Sequence, residues 1–398
     1  MRVLFSTTAG LGHFLPMVPI AQAALAAGHQ VVVAAPESFR SAVVDAGLEH
    51  LPFADPDGER MAQTFRSIDG RSVEESNRVV IGEVFVRLDA QAALPGVTRT
   101  IASWRPDVVV RDPAEFASLV AAAAGGVPQV QVAIGLGPIG PSICSALTAP
   151  LEELCTRAGL ERESVNDLLA RPGRLTSVPA SLDGGPLWGA ATGRHREGSE
   201  GSPTWRYRID EPAASDAAFP RWGDPEAPLV YVTFGSVVGG PRTAGFYTGA
   251  LTALAELPIR VLLTTGPGLD PAALDPVPPN ALVERWRRQA DVMPLASAVV
   301  GHGGFGTTMT AVRAGVPQVV TPLFAADNYV AASALVGAGA GLQVLGLPET
   351  VGEVAVEVAR LLSDTAYRER AEALAQQMRA LPSVASCVDM LVDLVGSQ

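Results

Sequence analysis

The chain has little of what would tie it to a metal, an oxidising compartment or a polyanion. It holds only three cysteines and five histidines in 398 residues. Cys144, Cys155 and Cys387 are an odd number without metal-type spacing, and they read as buried or incidental thiols of a reducing cytoplasm. No apolar run approaches the ~20 residues that a membrane helix needs. The longest, residues 116–128, already contains Ser118 and two glycines. The apolar segment at the N-terminus is too short for a secretory signal and reads as a first strand. Net positive charge is missing as well. A formal charge of −12 argues against nucleic acid and anionic membrane as partners, since both require basic surface.

What is present is an ordinary globular composition, 48% hydrophobic and 18% charged, punctuated by 40 glycines and 32 prolines. The length exceeds a comfortable single core, so two domains are expected. Residues 3–6, 30–34, 50–53, 107–110 and 129–134 read as strands. Helices are expected between them at 16–27, 38–46 and 114–124, a grammar of parallel pairing with helices on both faces. Residues 184–228 dissolve into Gly, Ser, Pro, Arg and Glu and read as a linker, with short strands admitted within it. The alternation restarts with strands at 229–234, 259–264, 281–285 and 318–321, and helices at 243–257, 328–336, 351–362 and 365–378. In the last segment Val384, Val388, Leu391 and Val395 share one helix face. The fold class is α/β, two Rossmann-like domains facing each other across a cleft, with ligands at the carboxyl ends of the strands. The expected division is 1–215, 216–380 and a final helix, 381–398, packing back toward the first domain.

The most informative segment runs from Val299 to Thr308. An apolar run stops at His302 and the glycines Gly301, Gly303, Gly304 and Gly306, then resumes with helical spacing until Gly315-Val316-Pro317. Strand, glycine turn and helix start together offer free N–H groups and a partial positive charge, which suit a phosphate or diphosphate. Thr307 and Thr308 add hydroxyl donors.

In the first half, His13 follows Gly10-Leu11-Gly12 in a loop after the first strand. It is either a general base at the cleft floor or a polar loop residue. Asp112 follows a later strand. It either hydrogen-bonds the far nitrogen of His13 or caps the next helix at Asp112-Pro113. His29, His50 and His195 lie in weaker contexts. A dinucleotide fingerprint at Gly10 fails because Leu15 stands where the third glycine belongs. Asp55-Pro56-Asp57, a bare Asp-x-Asp, has no partner ligands and reads as a solvated turn, and no metal cluster is visible.

Taken in order, these features resemble the antibiotic and natural-product branch of the inverting, UDP-glycosyltransferase-like nucleotide-sugar glycosyltransferases of the GT-B fold. The matches are Gly12-His13, Asp112, Val178-Pro179-Ala180-Ser181-Leu182 and Phe234-Gly235-Ser236. Trp286-Arg287-Arg288-Gln289, His302 to Thr308, Gly315-Val316-Pro317-Gln318 and Pro322 to Asn328 follow. The resemblance implies that Trp286 stacks on the pyrimidine and that Arg287 and Gln289 meet its edge. It places the diphosphate against His302, Gly303, Gly304, Gly306, Thr307 and Ser236, and the donor sugar against Asp327 and Asn328. It makes His13 the base and Asp112 its support, with neither metal nor cofactor. Thr310 stands where plant members carry a ribose-binding glutamate, Arg288 replaces a proline, and Asn328 replaces a glutamine. A missing ribose-diol acceptor costs least with a deoxyribose nucleotide, which favours dTDP over UDP.

The expected activity is transfer of a hexose or deoxyhexose to a small apolar acceptor, in the cytoplasm, by a monomer or a homodimer. The acceptor pocket is expected from irregular loops after Phe53, around residues 65–85 and at 135–151. The rivals are a nucleotide-sugar 2-epimerase of the same fold and a non-catalytic homologue acting as a binding partner.

Overall fold

The computed structural model describes residues 1–137, 141–160, 164–170, 172–183, 203–210, 219–235, 244–323, 325–345 and 350–397. Two wholly parallel sheets organise them. The first has seven strands in the order β3-β2-β1-β4-β5-β6-β7, and the second has six in the order β10-β9-β8-β11-β12-β13. In the first sheet these are β1 (Arg2–Ser6), β2 (Gln30–Pro36), β3 (His50–Phe53), β4 (Val108–Arg111), β5 (Gln129–Val132), β6 (Gly173–Thr176) and β7 (Thr204–Arg206). In the second they are β8 (Leu229–Thr233), β9 (Arg260–Thr264), β10 (Ala281–Glu284), β11 (Ala296–Gly301), β12 (Gln318–Val320) and β13 (Gly341–Gln343).

The central strands are continuous Val, Leu and Phe runs because helices cover both of their faces. Val3, Leu4, Val108, Val109 and Val110 have no exposed surface. One face of the first sheet packs on the helix Val18–Ala26, and the other on Gln91–Trp104, Phe116–Ala124 and Pro141–Arg157. The C-terminal helix Ala385–Gly396 follows the second sheet in sequence yet buries Cys387, Val388 and Leu391 in the first core. Leu136, Val178 and Leu182 from the first half share another core with Met309, Val312, Ala331 and Leu374 of the second. Cys155 and Cys387 are buried and form no disulfide among the described residues. Among the described residues no helix is long and apolar enough to cross a membrane.

Register positions the chemistry. Ser6 of β1 pairs with Ala34 of β2 and Arg111 of β4, so the turns after β1 and β4 leave the sheet side by side. Gly301 of β11 likewise pairs with Thr233 of β8 and Val320 of β12.

Two expectations change and one is made specific. His13 lies not in a loop but in a single helical turn, Leu11–Phe14, that starts from an extended Gly10. Residues 65–85 are not irregular: the helix Gly58–Ser67 starts at the Asp57 cap, Val73–Val79 at a Ser72/Glu75 capping box, and π-helical Val80–Ala90 continues it. The short strand admitted within the linker is Thr204–Arg206, the edge strand beside β6.

Candidate active site

The turn after β1 and the turn after β4 meet at one hydrogen bond. Nδ1 of His13 lies 3.0 Å from Oδ1 of Asp112. Asp112 is fully buried, and its two oxygens also accept from the amides of Thr8 (3.1 Å) and Ala114 (2.6 Å) and from the hydroxyls of Thr7 (3.4 Å) and Thr8 (3.2 Å). Burial alone would raise its pKa. The His13 charge and these hydrogen bonds outweigh that and hold it below the usual carboxylate value. An ionised carboxylate only accepts, so Nδ1 of His13 carries the proton and Nε2 keeps its lone pair.

Burial also pulls the His13 imidazolium down, but Asp112, and more weakly Asp327 and Asp89, together lift its pKa above the ordinary histidine value. The His13 side chain keeps 24% of its surface exposed although protein crowds it on every other side. A proton acceptor with an open nitrogen and a fixed tautomer results. Asp112 does not cap the helix Phe116–Ala124. That cap is Glu115, whose carboxylate accepts from Ala117, Ser118 and the Ser6 hydroxyl. The buried Arg111 donates to the carbonyls of Asp112, Pro113 and Glu115, and so folds the turn that presents Asp112.

Two more residues belong to this corner: Phe85, from the segment expected to line the acceptor pocket, and Asp89, which was not anticipated. Phe85 places its ring 5.6 Å from that of His13. Asp89, four residues on, is pushed up to about 7 by burial first and then by Glu115 and Asp112. Their segment, Glu83-Val84-Phe85-Val86-Arg87-Leu88-Asp89, carries the β-branched and aromatic run Val84-Phe85-Val86, which favours strands and conceals its helical state. The amphipathic capping box before it was the available signal.

Across the cleft, the turn after β11 holds His302 between glycines. A Cβ on Gly235 would come within 2.7 Å of the His302 ring, and one on Gly304 would strike it too. Burial holds His302 down to about 4, so it is neutral, and its Nδ1 is buried without a partner among the described residues. Among the described residues, no side chain caps the helix Phe305–Ala314 that Gly304 precedes, and none lies within 4 Å of where a Gly306 Cβ would sit. Thr307 accepts a hydrogen bond from Gln289 at 2.9 Å, tying the two segments together. Thr308 is buried at 1% and faces the core, not the turn, because its helix turns it inward.

The other expected donor residues divide. Trp286 is 70% exposed, a large aromatic face open to solvent. The Arg287 guanidinium is engaged within the protein: it makes a bidentate pair with Glu284 (2.6 and 2.5 Å) and lies 4.5 Å over the Phe219 ring, which leaves the backbone of this segment for a base edge. Asp327 stands in the first turn of the helix Ala326–Gly337, where burial raises its pKa while His13 works against the shift. Asn328 is 3% exposed, beneath that turn rather than in the open cleft. Ser236 lies outside the described residues.

Asp55 and Asp57 are both occupied by protein donors, Asp55 by Ser38 and Asp57 by the amides of Glu59 and Arg60. Among the described residues no group of three or more His, Cys, Asp or Glu side chains is arranged to hold a metal ion.

The Erythromycin biosynthesis protein CIII-like N-terminal domain matches residues 22–162, and the C-terminal domain of the same description matches residues 250–394. The chain is 31% identical to L-demethylnoviosyl transferase of Streptomyces niveus, with 97% of this chain and 96% of that one covered. It superposes on the glycosyltransferase SnogD from Streptomyces nogalater with a TM-score of 0.75 and 30% identity, over 100% and 99% of the two chains. It also shares the fold of the glycosyltransferase VinC in complex with dTDP, at a TM-score of 0.77 and 23% identity, with 100% of both chains covered. Two parallel-sheet halves of this kind define a GT-B glycosyltransferase. The chain belongs to the Erythromycin biosynthesis protein CIII-like family of natural-product glycosyltransferases.

Proposed function

We propose that this glycosyltransferase moves a deoxyhexose from a dTDP-sugar to a hydroxyl of a small apolar acceptor, with inversion at the anomeric carbon. The observation that carries the proposal is the 3.0 Å contact between His13 and Asp112 at the end of the first sheet. Nε2 of His13 takes the acceptor hydroxyl proton, and the acceptor oxygen attacks the anomeric carbon from the face opposite the diphosphate. The bond from that carbon to the phosphate oxygen breaks, and dTDP leaves with the electron pair. Asp112 stabilises the imidazolium that forms. The uncapped start of Phe305–Ala314 and neutral His302 receive the diphosphate charge as it grows.

The donor side supports dTDP. Thr310 occupies the ribose position of the resemblance, and its hydroxyl donates to Gly306 at 2.8 Å, so no carboxylate waits there for a ribose 2′-hydroxyl. VinC was solved with dTDP, in keeping with that preference. Asp327 is assigned to the donor-sugar hydroxyls and Trp286 to the base. On the acceptor side Phe85 lies beside the His13 ring, and Leu11 and Leu15 of the same turn, 47% and 56% exposed, add open apolar surface.

The test incubates the purified protein with dTDP- and UDP-deoxysugars and a panel of apolar aglycones. NMR then gives the anomeric configuration of the product. Inverted glycoside from dTDP-sugar is expected. Sugar turnover without acceptor would favour the epimerase, and retained configuration would remove His13 from the role of base.

A further inference from the structure

We propose that Asn77, on the first half, is a positioning residue for the donor sugar, acting by capping the helix that carries Asp327 on the second half. This rests on the assignment of Asp327 to the sugar made above. A helix begins with four amides that have no partner within it. Ala326–Gly337 follows Ala325, whose methyl group accepts nothing, and no side chain of its own segment caps it. The acceptor comes from the other half: Ala326 N–H donates to Oδ1 of Asn77 at 3.4 Å, across 249 residues of sequence.

Asn77 is set up to do this. Its Nδ2 donates to the Val73 carbonyl at 2.7 Å, which fixes the amide so that Oδ1 faces the second half. Its helix, Val73–Val79, is anchored by the Ser72/Glu75 capping box and runs without a break into Val80–Ala90. One continuous helical segment therefore touches His13 through Phe85 and the Asp327 helix through Asn77. Asp327 is the residue immediately after the capped one. His13 and Asp327 each feel the other's charge, so they lie near one another across the same gap. Fixing the first amide of that helix fixes where the Asp327 carboxylate stands relative to the base, and so where a sugar held by it presents its anomeric carbon.

The experiment compares Asn77→Leu, Asn77→Asp, Asp327→Ala and the Asn77→Leu/Asp327→Ala double variant. Each is assayed by calorimetry with dTDP and by steady-state kinetics with dTDP-sugar and a fixed acceptor. Asn77→Leu is expected to lower kcat/KM for the donor about 2- to 30-fold, the range that loss of a helix cap supplies. Its affinity for dTDP alone should stay within about twofold of wild type, since the residues assigned to the base and the diphosphate are not carried by this helix. Asn77→Asp keeps an acceptor for the same N–H but loses the Nδ2 bond to Val73, so its kcat/KM should lie between wild type and Asn77→Leu, and the double variant should be no worse than Asp327→Ala alone. Wild-type kcat/KM in Asn77→Leu beside an impaired Asp327→Ala overturns the role of Asn77 while leaving that of Asp327 standing. Equal loss of dTDP affinity and kcat/KM in Asn77→Leu overturns it too, by showing only a loosened fold. An Asp327→Ala variant with wild-type donor kinetics overturns the Asp327 assignment itself.

Discussion

A Cβ on Gly303 would stand 2.8 Å from the carbonyl oxygen of Asn328 and 2.9 Å from Val320 Cγ1. Gly303 also holds φ at +88°, where a side chain is strained whatever the space. The glycine turn is thus wedged against the start of the Asp327 helix. Gly303→Ala should cost about 2–4 kcal/mol, combining backbone strain with overpacking. Gly306, whose added Cβ meets nothing, should behave oppositely. Gly306→Ala should leave stability within about 1 kcal/mol of wild type, the scale of helix propensity, yet weaken dTDP binding by narrowing the phosphate approach. Denaturant unfolding beside calorimetry separates the two, and equal stability loss in both would refute the distinction.

This division shows what sequence could and could not supply. The turn itself was visible, because β11, its glycines and the spacing of Met309 and Val312 are local signals, and Gly315 ends the helix in the left-handed region at φ +69°. The pairing of His13 with Asp112 was visible only as an alternative to a helix cap. It depends on β1 and β4 being neighbours in register, a relation between residues 99 positions apart. The diversion of Arg287 was not visible. Trp286 and Arg287 are adjacent in sequence, yet one is open and the other is claimed by Glu284 and Phe219, from outside the motif. Asn77 was invisible for the same reason. An asparagine in a polar helix carries no mark of a partner in the other half.

The pH dependence should follow His13. A base must be neutral to accept a proton, and Asp112, Asp327 and Asp89 together raise the His13 pKa above the usual value despite its burial. Activity should therefore rise with pH through a midpoint above about 6.5, the unperturbed histidine value, and fall as the imidazolium forms below it. Asp112→Asn removes the largest influence favouring the charged form, so the midpoint should move down while kcat falls. Asp89, pushed up to about 7, titrates in the same region, and Asp89→Asn should lower the midpoint by less than Asp112→Asn does. A midpoint unmoved by Asp112→Asn would assign the limb to another group. His13→Ala should lower kcat by roughly 10²–10⁴ and leave dTDP affinity unchanged.

Trp286 and Arg287 should separate cleanly. Trp286→Ala removes an exposed stacking face and little packing, so dTDP affinity should fall by about 0.5–1.5 kcal/mol with an unchanged melting temperature. Arg287→Ala breaks the Glu284 pair and uncovers Phe219, so its first effect should be on melting temperature. Differential scanning calorimetry of both variants, with and without dTDP, reads this directly. Unchanged dTDP affinity in Trp286→Ala would move the base to another surface.

His302 should act on departing charge rather than on ground-state binding. Burial holds it down to about 4, so it is neutral at working pH and serves as a hydrogen-bond donor without the pull of a full charge. A neutral donor at a helix start counts most where negative charge grows, on the phosphate oxygen as the glycosidic bond lengthens. His302→Ala should accordingly lower kcat by more than it weakens binding of dTDP, and thymidine affinity should not change. The wild-type profile should show no ionisation from His302 between pH 5 and 9, a range that lies wholly above its pKa. The same mechanism assigns the diphosphate to the helix start and the imidazole, so the rate in EDTA should equal the rate without it. Activity lost in EDTA and restored by magnesium or manganese would transfer that task to a cation. It would also require ligands that Asp55 and Asp57, already holding Ser38 and the start of Gly58–Ser67, are not free to supply.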